Sequence, residues 1–482
     1  MSRVLGKHFI NGLWVASKGP GFINVYNPND GSVVAQVACG SEEDIDDAVA
    51  AAAGAFESWS KTTLAEREKY LERINLEYSK RQKDIADALV HELGAPRPFA
   101  EKVQAKMFSL HFATTLAVSK NYEWSKTIGN TLVVREPIGV VGAITPWNWP
   151  LNQIGAKLAP ALLAGNTVVL KPSEITPINA FIIAQVMEAA GLPPGVVNVV
   201  FGPGPKCGER LATHPHVDMV SFTGSTRVGA RLHVLGADSI KIVRTELGGK
   251  SATIVCDDAT EEQIKVMAAH ILNNTGQSCN GLGRLLAPRS RYQEVCAIAK
   301  SAFENQDIVA ADDTSAKISS IGPVASQMQF DKIQGYIKKG IEEGATLITG
   351  GLGKPSHLPQ SGYFVKPTVF CDVTNDMVVA REEIFGPVLC IIPYDNLEEA
   401  ITIANDTVYG LNNAVVSADE TKAVGIARRL KSGQVQVNGI TSNPLAPFGG
   451  YKQSGIGREW GSFGLDDFLQ IKAINLPNTA SL

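Results

Sequence analysis

The sequence predicts an α/β protein of two α/β domains with parallel-rich sheets and a small β element beside them. Two series of short β-branched runs alternating with helical stretches carry this expectation, one from Gly139 to Gly249 and one from Ser251 to about Asn438. Strand and helix in regular alternation are the signature of a parallel sheet covered by helices on both faces. Length agrees, since 482 residues exceed the roughly 250 to 300 that one hydrophobic core organises.

In chain order, Met1 to Ile10 has no apolar core of secretory-signal length. A helix follows in SEEDIDDAVAAAAGAFESW, where Ser41 can cap, Asp44 can complete a capping box, and Ile45, Val49, Ala52 and Phe56 share a face. A second helix runs from about Leu64, with Leu71, Ile74, Tyr78, Ile85 and Leu89 at helical spacing, and stops near Gly94. The segment Asn121 to Arg135 and the tail after Phe463 read as a hairpin and a strand used in subunit contact.

The strands of the first series are Val140 to Thr145, Thr167 to Lys171, Val196 to Val200, Met219 to Gly224 and Ile240 to Gly249. Open parallel sheets bind ligands at the carboxyl ends of their strands. The residues found there are PWNWP, KPSE, GPGP, TGST and ELGGK. In the second series the strand runs include Tyr363 to Phe370, Pro387 to Tyr394 and Gln434 to Gly439.

Composition narrows the function classes. Lys plus Arg number 44 against 48 Asp plus Glu, a net charge of -4 with no basic arm, so no nucleic-acid partner is expected. The longest apolar stretch, Leu158 to Leu170, is broken by Gly165, Asn166 and Thr167 and falls short of the ~20 residues that span a bilayer, so no membrane partner and a cytoplasmic location are expected. Seven scattered cysteines form no C-x-x-C pair, and His214 with His216 is the only close His pair, without a ligand set around it. Neither a disulfide framework nor a metal site is expected.

Five places could carry chemistry. Gly202, Gly204 and Gly208 in GPGPKCG only approximate a dinucleotide fingerprint, with one residue too many and a proline inside. Phe222 to Thr226 followed by Gly229 lies between strand and helix, so amide groups and the Ser225 hydroxyl could meet a pyrophosphate; its plain alternative is a capped turn. Lys171 and Glu174 in KPSE could bind ribose hydroxyls, with the carboxylate repelling a 2′-phosphate, or form a solvated pair. Cys279 sits in the polar stretch NTGQSCNG, a poor place for an inert core cysteine and a good one for a nucleophilic thiol, whereas Cys256 and Cys390 lie in apolar runs. Glu246, just before Leu247-Gly248-Gly249-Lys250, could activate a water as general base or simply pair with Lys250.

Taken together, PWNWP (146–150), KPSE (171–174), FTGST (222–226), ELGGK (246–250), GQSCN (276–280), EEIFGPV (382–388) and PFGGYKQSGIGRE (447–459) resemble, in order, the motifs of the aldehyde dehydrogenase superfamily. With NGLWV (11–15) at the start, the resemblance covers essentially the whole chain. It implies an NAD-binding Rossmann-like domain (1–121 and 138–247), a catalytic domain (248–453), and an oligomerisation hairpin with a carboxyl-terminal strand (122–137 and 454–482).

The resemblance also implies roles. Cys279 would attack the aldehyde carbon, with the Asn148 amide and the Cys279 backbone N–H as oxyanion hole, hydride would pass to NAD, and Glu246 would activate the water that hydrolyses the thioester. Lys171 is counted with this catalytic set as well as with the cofactor residues, which are Trp147, Lys171, Ser173, Glu174, Gly204, Phe222, Gly224, Ser225, Leu247, Gly248, Glu383 and Phe385. Lys157 and Glu459 match supporting proton-relay positions. Glu174 favours NAD over NADP, and Glu246 favours hydrolysis over transfer to coenzyme A.

The departures concern substrate. Trp149 stands where the family commonly has Phe, and with Gln153, Ser278 and Asn280 it is expected to line a substrate funnel in which Ala156 leaves room. The competing readings are a coenzyme-A-acylating semialdehyde dehydrogenase and a catalytically silent member acting as a binding protein. Family members assemble as homodimers or homotetramers, and the resemblance implies one of the two here.

Overall fold

The structure is a computed structural model that describes residues 3–440 and 442–477. Residues 478–482 of the expected carboxyl-terminal segment lie outside the described residues, as do 1–2 and 441. Among the described residues no helix is long and apolar enough to cross a membrane.

An eight-stranded sheet forms the first unit. From one edge to the other its strands are Gly455–Ile456, Ile242–Glu246, Met219–Thr223, Val140–Ile144, Thr167–Lys171, Val197–Val199, Lys7–Ile10 and Leu13–Ala16. The five strands from Ile242–Glu246 to Val197–Val199 are parallel, and the flanking ones antiparallel. Numbered by their order in the chain, these five read 5-4-1-2-3 across the sheet, the doubly wound arrangement. The order reverses between Val140–Ile144 and Met219–Thr223, so a crevice opens beyond their carboxyl ends. Val141, Val168, Val169, Leu170 and Val220 are fully buried, as a sheet covered on both faces requires.

The second unit is a seven-stranded sheet in the order Thr346–Thr349, Thr368–Cys371, Val388–Tyr394, Arg284–Pro288, Ala252–Val255, Asn412–Val416, Gln434–Val437. All neighbours are parallel except the first pair. The chain passes from one sheet to the other between Glu246 and Ala252, so ELGGK is the crossing. Strands Ser125–Ile128, Thr131–Pro137 and Leu469–Asn475 form a separate antiparallel sheet, and Arg3–Leu5, Val33–Ala38 and Phe22–Tyr26 another.

The Ser41 capping box forms as expected: its hydroxyl accepts the Asp44 N–H, and the Asp44 carboxylate accepts the Ser41 N–H at 2.8 Å. Three expectations change. The helix expected from Leu64 to Gly94 is broken into Leu64–Ser79, Gln82–Ala88 and a wider turn Leu89–Leu93, because the apolar period lapses over Ser79-Lys80-Arg81. The strand expected over Tyr363 to Phe370 begins only at Thr368, since Pro367 has no N–H to give a ladder.

The third concerns 454–482, whose described residues do not form a single strand. Gly455–Ile456 pairs with Thr245 and Glu246 on the edge of the first sheet, and Gly461–Asp466 is a helix that packs on the helices Met107–Ser119 and Pro150–Ala164. A short run of GIGRE residues, without β-branched alternation, gives no sign of that pairing in the sequence.

Candidate active site

The crevice at the switch point is a cavity of about 170 Å³. Pro146, Trp147 and Asn148 reach it from the end of Val140–Ile144, and Thr223, Gly224 and Ser225 from the end of Met219–Thr223. Leu247 and Gly248 come from the crossing, and Glu383 and Phe385 from the second unit. Ser225 caps the helix Thr226–Gly236, its hydroxyl accepting the Val228 N–H at 3.4 Å. A side chain at Gly224 would place its Cβ 2.4 Å from the Phe222 ring, and one at Gly248 would lie 2.8 Å from Glu383 Oε2. Trp147 and Phe385 meet edge to face with ring centroids 5.5 Å apart.

Lys171, Ser173, Glu174 and Gly204 gather farther along the sheet ends. Lys171 Nζ donates to Glu174 Oε2 at 3.0 Å, and the Gly204 N–H also reaches the Glu174 carboxylate. Burial alone would raise Glu174, but the Lys171 ammonium and these donors hold it below its ordinary value. Lys171 lines neither of the cavities that reach Cys279. A crevice at the sheet's switch point, the amino terminus of the helix Thr226–Gly236 beside it, and the Lys171–Glu174 pair at the strand ends together fit a dinucleotide.

Cys279 is presented by a distorted turn. The short helix His270–Gly276 carries Asn274, Thr275 and Gly276 at φ 52°, 56° and 76°, three successive left-handed residues. For β-branched Thr275 this conformation is costly and persists only if surrounding bonds impose it. They do. Thr275 Oγ1 donates to Gly322 O at 3.1 Å, Asn274 Nδ2 to Asn148 O at 3.0 Å, Gln277 Nε2 to Asn274 O at 3.1 Å, and the Ala325 N–H to Gln277 Oε1 at 2.9 Å. The fully buried Gln104 adds donations to Asn148 O at 3.1 Å and Asn274 Oδ1 at 3.2 Å.

Asn148 is thereby fixed beside the cysteine loop. Its Nδ2 donates to Gln277 O at 2.9 Å, which uses one of its two protons and leaves the other for a ligand oxygen. Burial, then the nearby carboxylates of Glu383, Glu246 and Glu459, push the Cys279 thiol well above its ordinary value. The resting group is therefore the neutral thiol.

Glu246 lies in a different compartment. It does not line either cavity around Cys279 but a small enclosed space with Lys157, Arg244, Glu459 and Asp467. Its Oε2 has no hydrogen-bond partner among the described residues. Burial, and then Glu459, raise its carboxyl well above the usual range. Lys157 Nζ donates to Glu459 Oε1 at 2.7 Å and to Thr223 Oγ1 at 2.8 Å.

On the other side of Cys279 a second cavity of about 380 Å³ holds Trp149, Gln153, Ser278 and Asn280, all four expected substrate residues. Trp149 Nε1 donates to Ser278 Oγ at 2.8 Å. Ala156 is absent from this wall: one turn beyond Asn152 and Gln153, it is enclosed in the helix Pro150–Ala164. Sequence reasoning missed His270, Asn152 and Phe448 in this wall, and Gln329 and Lys332 in the cofactor crevice. Gln329 Nε2 donates to Phe385 O at 2.7 Å, and Gln329 and Lys332 sit on an amphipathic helix, Gln327–Glu342, where polar residues look like ordinary surface.

A doubly wound sheet joined to a second α/β sheet, with one thiol where two cavities meet, defines an α/β oxidoreductase with a dinucleotide crevice. The chain matches the aldehyde dehydrogenase family over residues 14–474 and belongs to it. It is 48% identical over 468 residues, 97% of each chain, to a 3-succinoylsemialdehyde-pyridine dehydrogenase of a Pseudomonas species. Among solved structures, it is similar to aldehyde dehydrogenase C of Pseudomonas syringae, a Cys-to-Ala variant with NAD+ and octanal, with TM-score 0.96, 43% identity and 98% of each chain covered. A Mycobacterium tuberculosis aldehyde dehydrogenase with NAD+ gives TM-score 0.96 and 40% identity over 100% of each chain. The protein is thus an NAD-dependent aldehyde dehydrogenase.

Proposed function

We propose that Cys279 is the nucleophile of this oxidation. The observation that supports it is shared lining: Cys279 and Gln153 alone, among the described residues, belong to both cavities. An aldehyde entering from one side and a nicotinamide from the other would meet at that sulfur. The thiol gives its proton to water in the open crevice, the sulfur bonds to the carbonyl carbon and the π pair moves to oxygen. The free proton of Asn148 Nδ2 and the Cys279 N–H hold the resulting oxyanion. NAD, when bound, would supply the hydride acceptor, and Trp147, Ser225, Leu247, Gly248, Glu383 and Phe385 with Lys171, Ser173, Glu174 and Gly204 would hold it.

Loss of hydride leaves a thioester on Cys279. Glu246 then takes a proton from water, the water oxygen bonds to the acyl carbon, and the C–S bond breaks, which returns the Cys279 thiolate and frees an acid that loses its own proton to become the carboxylate product. Because its carboxyl lies in the neighbouring compartment, Glu246 swings toward Cys279 for this step. Glu459, held by the Lys157 ammonium, accepts its proton afterwards. The presence of Glu246 supports hydrolysis rather than transfer to coenzyme A, and Glu174 supports NAD over NADP.

The seven free cysteines suit a reducing cytoplasm. The hairpin of Ser125–Ile128 and Thr131–Pro137 pairs with Leu469–Asn475 and leaves Ile128 and Ile471 exposed, which supports its use in a homodimer or homotetramer. Cys279→Ala tests the central step: with a panel of aldehydes and NAD, wild type forms NADH and the variant does not. Equal rates for both would exclude Cys279 as nucleophile.

A further inference from the structure

The 380 Å³ cavity has two kinds of wall. Trp149, Phe448 and Trp460 offer flat apolar faces, with Phe448 and Trp460 stacked at 4.7 Å and 27°. Such faces hold a planar ring or a narrow chain. Between them lie amides, hydroxyls and an imidazole, and among the described residues no Asp, Glu, Lys or Arg lines the cavity.

Several of these polar groups already have partners. Asn152 Oδ1 is 2.7 Å from His111 Nε2, and Ser278 Oγ accepts from Trp149 Nε1. Gln153 and His270 differ. Gln153 is 4% exposed, and its Oε1 has no partner among the described residues. His270 Nδ1 is likewise sealed without a partner. Burial lowers the His270 imidazole to about 4, so at neutral pH it is uncharged, with one nitrogen a donor and the other an acceptor. Neither side chain makes a hydrogen bond among the described residues, so the amide Nε2–H of Gln153, and the His270 ring N–H when it sits on Nε2, are donors that a ligand acceptor can take.

Resting on the reading of Cys279 as nucleophile, we propose that Gln153 and His270 are specificity-determining residues. They select an uncharged aldehyde whose tail bears a planar group with a hydrogen-bonding atom, such as a ring nitrogen or a ketone oxygen. A carboxylate or ammonium tail finds no opposite charge in this cavity and leaves its water behind uncompensated. A purely hydrocarbon tail fits the aromatic faces but leaves the amide and the imidazole unpaired.

The experiment compares specificity constants of the full-length enzyme with NAD, read as NADH formation, for matched aldehydes. The first pair is 3-(pyridin-3-yl)propanal and 3-phenylpropanal, equal in shape and different in one ring atom. The second is benzaldehyde and 4-carboxybenzaldehyde. Wild type should prefer the pyridyl over the phenyl aldehyde by about tenfold and benzaldehyde over its carboxylate by at least about a hundredfold.

His270→Leu and Gln153→Leu should each bring the pyridyl-to-phenyl ratio toward one. His270→Arg should raise 4-carboxybenzaldehyde relative to benzaldehyde by about tenfold, a gain that a purely structural role for His270 does not produce. A wild-type pyridyl-to-phenyl ratio near one, or ratios unmoved by all three substitutions, would overturn the assignment while leaving the reaction intact. Absence of NADH with every aldehyde from folded enzyme would overturn the nucleophile reading and this one together.

Discussion

Lys157 Nζ and Glu459 Oε1 lie 2.7 Å apart, with side chains 1% and 9% exposed, across 302 residues of chain. The pair lines the same space as Glu246, and its two charges act on that carboxyl with opposite sign. Glu459 raises Glu246 and Lys157 lowers it. Burial raises that carboxyl most, and Arg458, which lowers it, and Asp467, which raises it, add smaller effects.

The tuning predicts opposite pH effects. Glu246 must be ionised to take a proton from water, so thioester hydrolysis should rise with pH through its raised pKa. Glu459→Gln removes a negative neighbour, stabilises the ionised form, and should move that rise to lower pH. Lys157→Met removes a positive neighbour and should move it to higher pH. Single-turnover deacylation rates between pH 5 and 9 measure both; shifts in the same direction would contradict the arrangement. Each variant also leaves a buried charge unpaired, at about 3 to 5 kcal/mol in stability, measurable by denaturant unfolding.

Glu246→Gln should separate the two halves of the reaction. Thioester formation does not need the base, so mixing enzyme, NAD and aldehyde should give a burst of NADH close to one equivalent per active site. Steady turnover should then fall by about 10² to 10⁴-fold. Stopped-flow absorbance resolves the two phases. Loss of the burst along with turnover would place Glu246 in the first half instead.

The places where chemistry could occur were legible because strand ends were. β-branched runs such as Thr167 to Lys171 and Met219 to Gly224 mark the sheet, and a doubly wound sheet brings the residues after those runs together whatever lies between. Cys279 stood out for a local reason, a thiol among small polar residues. What the sequence hid depends on contacts between distant segments. Gln104 reaches Asn274 across 170 residues, and no periodic pattern signals an isolated Gln. His270 reads as an ordinary helix residue until the fold turns it to a cavity wall. The withdrawn position of Glu246 follows from Glu459 and Arg458 arriving behind it, and the pairing of Gly455–Ile456 that brings them there has no pattern of its own.

The cysteine turn predicts a sharp intolerance at Gly276. Its φ is 76°, and a Cβ there would lie 2.1 Å from the Gly386 carbonyl carbon. Gly276→Ala therefore has to displace either the loop that carries Cys279 or the Phe385-Gly386 segment of the cofactor crevice. Activity should fall by at least about a hundredfold, since a displacement near 1 Å costs that much in reacting geometry. A comparison with Gly281→Ala is informative: that Cβ would meet the end of the flexible Ile271 side chain at 2.7 Å, which can move. Kinetics and NAD titration by tryptophan fluorescence should show the first variant impaired in both and the second retaining NAD binding.

Cofactor choice gives the last test, and Glu174 carries it. Its carboxylate is held by the Lys171 ammonium at 3.0 Å, with a side chain 36% exposed at the ends of the parallel strands. On the proposed reading an ionised carboxylate there would accept ribose hydroxyls and oppose a 2′-phosphate, which adds close to two negative charges at the same place. Glu174→Ser removes the repulsion and frees the Lys171 ammonium to meet the phosphate. The ratio of kcat/KM for NADP over that for NAD should therefore rise by about tenfold or more, the effect of a single charge contact of roughly 1.4 kcal/mol. Most of the change should appear in KM, because the ribose lies far from the reacting sulfur, and the gain should shrink in high salt because the site is partly open to solvent. Lys171→Met in the same background should cancel the gain. Unchanged cofactor ratios in Glu174→Ser would mean that the carboxylate does not face the ribose, and that the 2′ position is read by some other group.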